Sequence, residues 1–290
     1  MAVRTPSHAG SWYTDNGAVL SKQLDDWLQA ASAATGNPVR GVISPHAGYS
    51  YSGPAAAYSY KHLRPELGVK RIFILGPSHH FYLKGCALTA CEIYRTPVGD
   101  LTVDQAVTRE LHATGKFDVM DKSVDEDEHS IEMQLPYIAR RMQGYPCTVV
   151  PVLVGSLSVR SEAEYGALFA KYLEDPSNFF VISSDFCHWG KRFQYQHYDP
   201  AHGPIHRSIE ALDKEGMRRI ETQDPRQFAE YQAETHNTIC GRHPIGVLLN
   251  SIQHQRTKFN LQFVHYAQSS PCMTQSDSSV SYASAILACA

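Results

Sequence analysis

The sequence predicts a single α/β domain with a central, largely parallel or mixed sheet flanked by helices, and three observations predict it. Short β-rich apolar runs alternate with amphipathic helical segments along the chain, the pattern of strand–helix–strand units on a parallel sheet. Several of those runs are continuously apolar, as strands covered on both faces must be. No Gly/Ser/Pro-rich or low-complexity tract divides the chain. Roughly 150 residues per domain would allow two domains, but the 290 residues read as one, spanning 1–290.

Taken in order, Asp15 and Asn16 are N-caps for a helix over 17–34, with Leu20, Leu24, Trp27, Leu28 and Ala31 on one apolar stripe. Gly36-Asn37-Pro38 ends it. A strand over Val39–Ile43 stops at Ser44-Pro45-His46-Ala47-Gly48, and a helix over Ala55–Leu63 follows. A second strand, Arg71–Leu75, stops at Gly76-Pro77-Ser78-His79-His80. Cys86–Cys91 reads as a strand and 104–114 as a helix; the acidic run Asp125–Glu128 suits the start of an amphipathic helix over Ser130–Met142. Thr148–Val154 is a strand of the fully buried kind, Glu162–Leu173 a helix, and the strand Phe179–Ser183 runs into Ser184-Asp185-Phe186-Cys187-His188-Trp189-Gly190. Helices near 204–215, 225–234 and 241–253 and closing strands Leu261–Gln268 and Val280–Leu287 complete the pattern.

With 43% hydrophobic and 19% charged residues the chain can bury a sizeable core, and its longest apolar runs fall short of the roughly 20 residues a membrane helix needs. A formal charge of -3 with scattered Lys and Arg gives no electrostatic footprint for nucleic acid or an anionic membrane. Residues 1–8 lack a signal-peptide core, and seven cysteines without a Cys-x-x-Cys pair read as reduced thiols. The expected location is the cytoplasm, with the nucleus open to the same chain. Oligomeric state has no signature.

Three strands end in a polar cluster that holds a histidine, and in an open α/β sheet the carboxyl ends of parallel strands share one edge. His46, His79 and His188 are thereby expected to converge. Imidazole is the commonest metal ligand, and two or three with an anionic ligand suit iron, zinc or copper. Cys240, just ahead of the apolar helical segment Ile245–Leu249, gains thiolate character if it sits at that helix's positive end. Plainer readings stand beside these. A histidine after a strand is often a hydrogen-bonded loop residue, and Cys240 could be a small core thiol or, with a distant histidine, a nucleophile. Asp185 either caps a turn or orients and relays protons for His188. His129 either lines the cleft or, the favoured reading, begins a helix. Trp12 and Tyr51 either wall a pocket or pack in the core. His80 should point away from His79, and His8 and His243 are weaker candidates.

The segments Ser7-His8-Ala9-Gly10-Ser11-Trp12-Tyr13, Pro45-His46-Ala47-Gly48-Tyr49, Ile74–His80, Asp125–Glu132, Ser183–Trp189 and Asn237–Pro244 together resemble the Memo family, in a eukaryotic member, over nearly the whole chain. The resemblance implies a fold similar to the class III extradiol (LigB-type) dioxygenases, whose iron is held by two histidines and a glutamate beside an acid/base histidine. Carried over, His46 and His79 would be ligands, Cys240 would take the glutamate position, and His188 with Asp185 would handle protons. Thiolate in place of carboxylate softens the site toward Cu(I) or tightly held iron, with zinc as a substitute, and argues against extradiol chemistry. The resemblance further implies iron or copper binding, redox activity, and recognition of phosphotyrosine-bearing receptor tails that relays motility signals to the cytoskeleton. Such a peptide would lie against Trp12, Tyr51, His188 and Arg242, the last meeting its anionic group. Two functions therefore compete: a metal-dependent redox protein, and a non-enzymatic adaptor using the same cleft.

Overall fold

The computed structural model describes residues 2–33 and 35–290. Four parallel strands form the middle of a mixed sheet, in the spatial order Thr148–Val154, Arg71–Pro77, Asn178–Ser183, Val39–Ser44. Their side chains alternate between two cores, as the two-residue period of a strand requires. Phe73, Leu75, Phe180 and Ile182 enter one core, and Ile72, Ile74, Phe179 and Val181 the other. The helices Gly17–Ala30, Tyr49–Tyr60 and Leu135–Arg141 cover the second face with Leu20, Leu24, Tyr60 and Ile138. The helices Val159–Glu174, Ile205–Glu221, Pro225–Thr235 and Arg242–Gln253 cover the first with Phe169, Leu212, Tyr231 and Leu248. The result is a single α/β domain with helices on both faces of the sheet.

Antiparallel strands finish both sides. Ser279–Cys289 pairs with Val39–Ser44 and with Phe259–Gln268. Cys86–Thr89 pairs antiparallel with Thr148–Val154 and parallel with Phe117–Met120. The strands Val3–Arg4, Ile93–Tyr94, Leu101–Val103, Phe117–Met120 and His188–Trp189 are two to four residues long, too short to carry an alternating pattern, and the sequence did not predict them. Among the described residues no helix is long and apolar enough to cross a membrane.

Several expected elements differ, the helix expected near 204–215 running on to Glu221. The first helix ends at Ala30; Ala34, its expected last residue, lies outside the described residues. The second helix begins at Tyr49 rather than Ala55, and Pro54 lies inside it, so the sequence pattern is clean only after that residue. The expected helix over Ser130–Met142 is two pieces, His129–Glu132 and Leu135–Arg141, with Pro136 in the first turn of the latter. The last residue of the acidic run, Glu128, caps the first piece by accepting the Ser130 backbone N–H at 2.8 Å, while Asp125–Asp127 end a separate helix, Lys122–Asp127; Asp125, Glu128 and Glu132 are all buried.

Arg4 explains that burial. Its side chain is 0% exposed and lies between Asp125 (Nε to Oδ1, 2.9 Å) and Glu132 (NH1 to Oε2, 2.7 Å). It also donates to the backbone carbonyls of Asp125 at 2.7 Å and Glu128 at 3.0 Å. Glu132 accepts further bonds from the His8 ring and the Tyr13 hydroxyl. Burial alone would raise its pKa, but the His8 hydrogen bond and the Arg4 charge hold it at about 2. Removing one partner of a buried ion pair leaves an uncompensated charge, so Arg4→Met should cost about 3–5 kcal/mol in denaturant unfolding. Because Glu132's pKa is depressed, the stability it contributes is fully present above pH 4.5 and lost as pH falls toward 2, so the deficit should narrow over that window. A deficit that is small, or that grows on acidification, would contradict this reading.

Candidate metal centre

His46 follows the strand Val39–Ser44, His79 follows Arg71–Pro77, and Asp185 and His188 follow Asn178–Ser183. These strands are parallel neighbours, with Ile43 and Leu75 both registered on Ile182, so their loops leave one edge side by side. Cys240 arrives from the loop before the helix Arg242–Gln253. One ligand-type atom from each of His46, His79 and Cys240 lies within 4.8 Å of the others. His46 Nε2 is 3.1 Å from Cys240 Sγ, and the two imidazole centroids are 5.2 Å apart.

A chain of hydrogen bonds sets which ring nitrogen faces this point. The Tyr60 hydroxyl donates to Gln134 Oε1 at 2.7 Å, so Gln134 Nε2 is the donor to Pro45 O at 3.0 Å and to Ser183 Oγ at 2.8 Å. Ser183 spends its only proton on Ser130 O at 2.7 Å. The Ser183 oxygen can then only accept from His46 Nδ1, 2.8 Å away, which places the proton on Nδ1 and leaves the Nε2 lone pair facing Cys240. His79 is fixed in the same sense: Nδ1 is 2.9 Å from Glu128 Oε1, and its backbone N–H donates to Glu128 Oε2 at 2.6 Å. A carboxylate behind a histidine is the usual means of orienting a ligand imidazole. His188 Nδ1 lies 2.9 Å from Phe186 O and 3.1 Å from Thr238 O; both are acceptors, so its Nδ1 also carries the proton.

The electrostatics divide the histidines. Burial, with His79 nearby, lowers the His46 pKa well below the ordinary value, keeping it neutral. Burial would lower His79 too, but hydrogen bonds and charge from Cys240 and Glu128 raise it to about 10. Burial opposes ionisation of Glu128, yet His79 holds it well below the usual carboxylate range. For Cys240 the expected helix effect does not prevail. Gly241 is the N-cap, and burial pushes the thiol up against the opposing pull of His79. A thiolate here depends on an adjacent cation, imidazolium or metal.

The cleft beside these groups has a volume of about 600 Å³. Trp12 and Tyr51 line it rather than packing in the core, Tyr51 being 62% exposed. His188 lines it as well. Asp185 is buried and braces His46 rather than the His188 ring: Oδ1 accepts the His46 backbone N–H at 2.8 Å, and its own N–H points at Cys240 Sγ, 3.2 Å away. Its pKa is raised by burial, against the pull of His188.

His129 is the residue that sequence reasoning undervalued. It does begin a helix, but Glu128 supplies the cap, and the His129 ring lies in the cleft between Trp12 and His79, at centroid distances of 4.4 and 4.3 Å. Burial and the neighbouring His46 and His79 push its pKa down to about 2. The signal was present in Glu128-His129, an acid and an imidazole adjacent at the end of a charged run. Arg242 is a correction. It lines a separate cavity of about 290 Å³ with His243 and Cys240, while Arg192 lines the histidine cleft. His243 pairs with Glu162 at 2.7 Å and His8 with Glu132 at 2.9 Å; neither lines the cleft. His80 is exposed, and its ring stands 5.7 Å from that of His129.

A family model described as Memo-like protein matches residues 4–286. The chain belongs to the Memo family. Protein MEMO1 of Homo sapiens is 55% identical over 292 residues, covering 99% of this chain and 98% of that protein. Protein MEMO1 of Xenopus tropicalis is 55% identical over 289 residues, with 98% and 97% covered. The protein memo-1 homolog of Caenorhabditis elegans is 52% identical over 290 residues, covering 98% of this chain and 82% of that protein. Among solved structures, an uncharacterized Escherichia coli K12 protein, JW3007, superposes with a TM-score of 0.50 at 14% identity, covering 84% of this chain and all but 1% of the other (99%), a likeness of fold alone.

For this Memo-family chain the hydrogen-bond inventory makes a direct expectation. In the metal-free protein, nitrogen-detected NMR of the histidine rings should find both His46 and His188 as Nδ1–H tautomers, with His46 remaining neutral through mildly acidic pH. An Nε2–H tautomer at His46 would mean that the Ser183 relay does not hold it.

Proposed function

We propose that this Memo-family protein is a metal-binding protein of redox type, holding iron or copper through His46 Nε2, His79 Nε2 and Cys240 Sγ, with zinc as a substitute. The observation that carries the reading is that His46 and His79 each have Nδ1 anchored, on Ser183 and Glu128, which leaves both other nitrogens for a cation beside a sulfur. Two imidazoles and one thiolate form a soft donor set suited to Cu(I) and able to hold iron tightly, better than they suit two-histidine-one-carboxylate oxygen chemistry. A bound iron or copper would supply one-electron chemistry and Lewis acidity. The chain's own part is to orient the two imidazoles, to brace His46 with Asp185, and to offer the His188 Nε2 lone pair as a proton acceptor in the cleft. Family resemblance associates this activity with motility signalling.

A second reading has its own observation. Arg192, an exposed cation, lines the mouth of the cleft with Trp12 and Tyr51, a combination that could seat a phosphotyrosine-bearing receptor peptide and make the protein an adaptor to the cytoskeleton.

Elemental analysis of protein purified reduced and oxygen-free separates the two. Near-stoichiometric iron or copper is expected in the wild type, with none in His46→Ala, His79→Ala or Cys240→Ser. Glu128→Gln should stay folded and bind about 10–100-fold more weakly, because it loses the orienting carboxylate and not a ligand. A wild-type protein that takes up no metal after reconstitution, but saturably binds a phosphotyrosine peptide in an Arg192-dependent way, would favour the adaptor reading.

A further inference from the structure

Two loops bring the sulfur and the free histidine to the centre, and neither is held by its own length. The loop over 184–187 carries Asp185 and leads into the strand His188–Trp189, and the loop over 236–241 carries Thr238 and Cys240. They are stitched to each other locally: His188 N–H donates to Thr238 Oγ1 at 2.7 Å, Gly241 N–H to Ser184 Oγ at 3.0 Å, and Asp185 N–H to Cys240 Sγ at 3.2 Å. Such short-range bonds fix the loops relative to one another. The first of them is also tied to the sheet, Phe186 N–H donating to Ser281 O at 2.8 Å, Ser281 N–H to Cys187 O at 2.9 Å and Ser184 N–H to Ser44 O at 2.9 Å.

One side chain, Asp213 on the helix Ile205–Glu221, holds both loops at once and belongs to neither. The residue is 0% exposed and has no cationic partner among the described ion pairs. Its Oδ1 accepts the Cys187 backbone N–H at 3.2 Å and Asn237 Nδ2 at 2.9 Å, one bond from each loop, and its Oδ2 accepts the Tyr266 hydroxyl at 2.9 Å from the strand Phe259–Gln268. Asn237 Nδ2 also meets the Tyr231 hydroxyl at 2.8 Å, while its own Oδ1 is buried without a partner, so that amide is held for its donors. A buried carboxylate among neutral donors is costly to keep unless each bond is made. Burial accordingly pushes the Asp213 carboxyl up to about 6. The cost is sustained at a point that touches both loops one to three residues from His188 and Cys240.

We propose that Asp213 is a positioning residue of the centre: one carboxylate oxygen sets Cys240 against His188 by holding both loops to the helix behind them. The inference rests on the metal reading for one of its readouts and is independent of it for the other. Both loop-facing bonds go to the same oxygen. Asp213→Asn can therefore keep them through its amide oxygen while the Tyr266 hydroxyl turns to Ser281 Oγ, 3.2 Å away, and the conservative variant should rescue what Asp213→Ala loses.

The test compares wild type, Asp213→Asn, Asp213→Ala and Leu24→Ala, the last a truncation in the opposite core that lowers stability without touching either loop. Two quantities are read below the unfolding temperature of every variant: Cu(I) affinity by competition with a chromophoric chelator, and the iodoacetamide alkylation rate of Cys240 in metal-free protein by peptide mass spectrometry. Asp213→Ala should bind Cu(I) at least about tenfold more weakly and alkylate Cys240 several-fold faster, with Asp213→Asn and Leu24→Ala near wild type in both. A wild-type alkylation rate in folded Asp213→Ala overturns the proposal whatever the metal does. So does an equal loss in Leu24→Ala, which would reduce the effect to general destabilisation. A wild type that binds no Cu(I) defeats the metal reading instead, and the alkylation result still decides the role of Asp213.

Discussion

Parallel strands in one sheet send all their carboxyl ends to the same edge, and in this chain that edge receives His46, His79 and the loop with Asp185 and His188. The placing of His46, His79 and His188 follows from that constraint. The histidines are far apart in sequence, yet the pairing of Val39–Ser44, Asn178–Ser183 and Arg71–Pro77 sets their separation before any side chain chooses a rotamer. Burial on both faces makes the register costly to change, because a one-residue slip would exchange Phe73 and Leu75 with Ile72 and Ile74 between two different cores.

Upon that frame the chain spends its buried charge close to the site. Arg4, Asp125 and Glu132 form an enclosed network whose outer arm is the backbone carbonyl of Glu128, and Glu128 in turn holds both the ring and the backbone of His79. A salt bridge of this kind is a poor source of net stability. Its value here is positional, since it locks the segment that presents Glu128 and His129 onto the sheet edge. On the other side a neutral relay from Tyr60 through Gln134 and Ser183 does the same for His46. One of the two histidines thus has an anion behind it and the other a hydroxyl; burial keeps His46 neutral, while Cys240 and Glu128 together hold His79 toward its charged form.

The central strands and the convergence of His46, His79 and His188 were legible because continuous β-rich runs and the polar clusters after them are local signals, whereas the place of Cys240 beside them came from the family resemblance. The strands Val3–Arg4, Ile93–Tyr94, Leu101–Val103, Phe117–Met120 and His188–Trp189 were not legible, since each is too short to show a pattern of its own. The burial of the acidic run was not legible because its partner, Arg4, lies 121 residues before Asp125. The same distance hid the role of His129, whose ring is drawn into the cleft by the segment that Arg4 clamps. Helix position suggested a low thiol pKa for Cys240, but burial acts against it, and burial is a tertiary property. Arg242 looked like the cation of the cleft from its motif alone. The turn at Gly241 sends it to the adjoining cavity, and Arg192 takes the place instead.

The claim that a thiolate replaces a carboxylate among the ligands is tested most directly by X-ray absorption at the metal edge of copper- or iron-loaded protein. The account expects one sulfur scatterer per metal, at about 2.3 Å if zinc is the probe, together with two imidazole nitrogens, and loss of the sulfur shell in Cys240→Ser. A first shell of nitrogen and oxygen only in the wild type would contradict it, and would leave Cys240 as a neighbour of the centre rather than part of it.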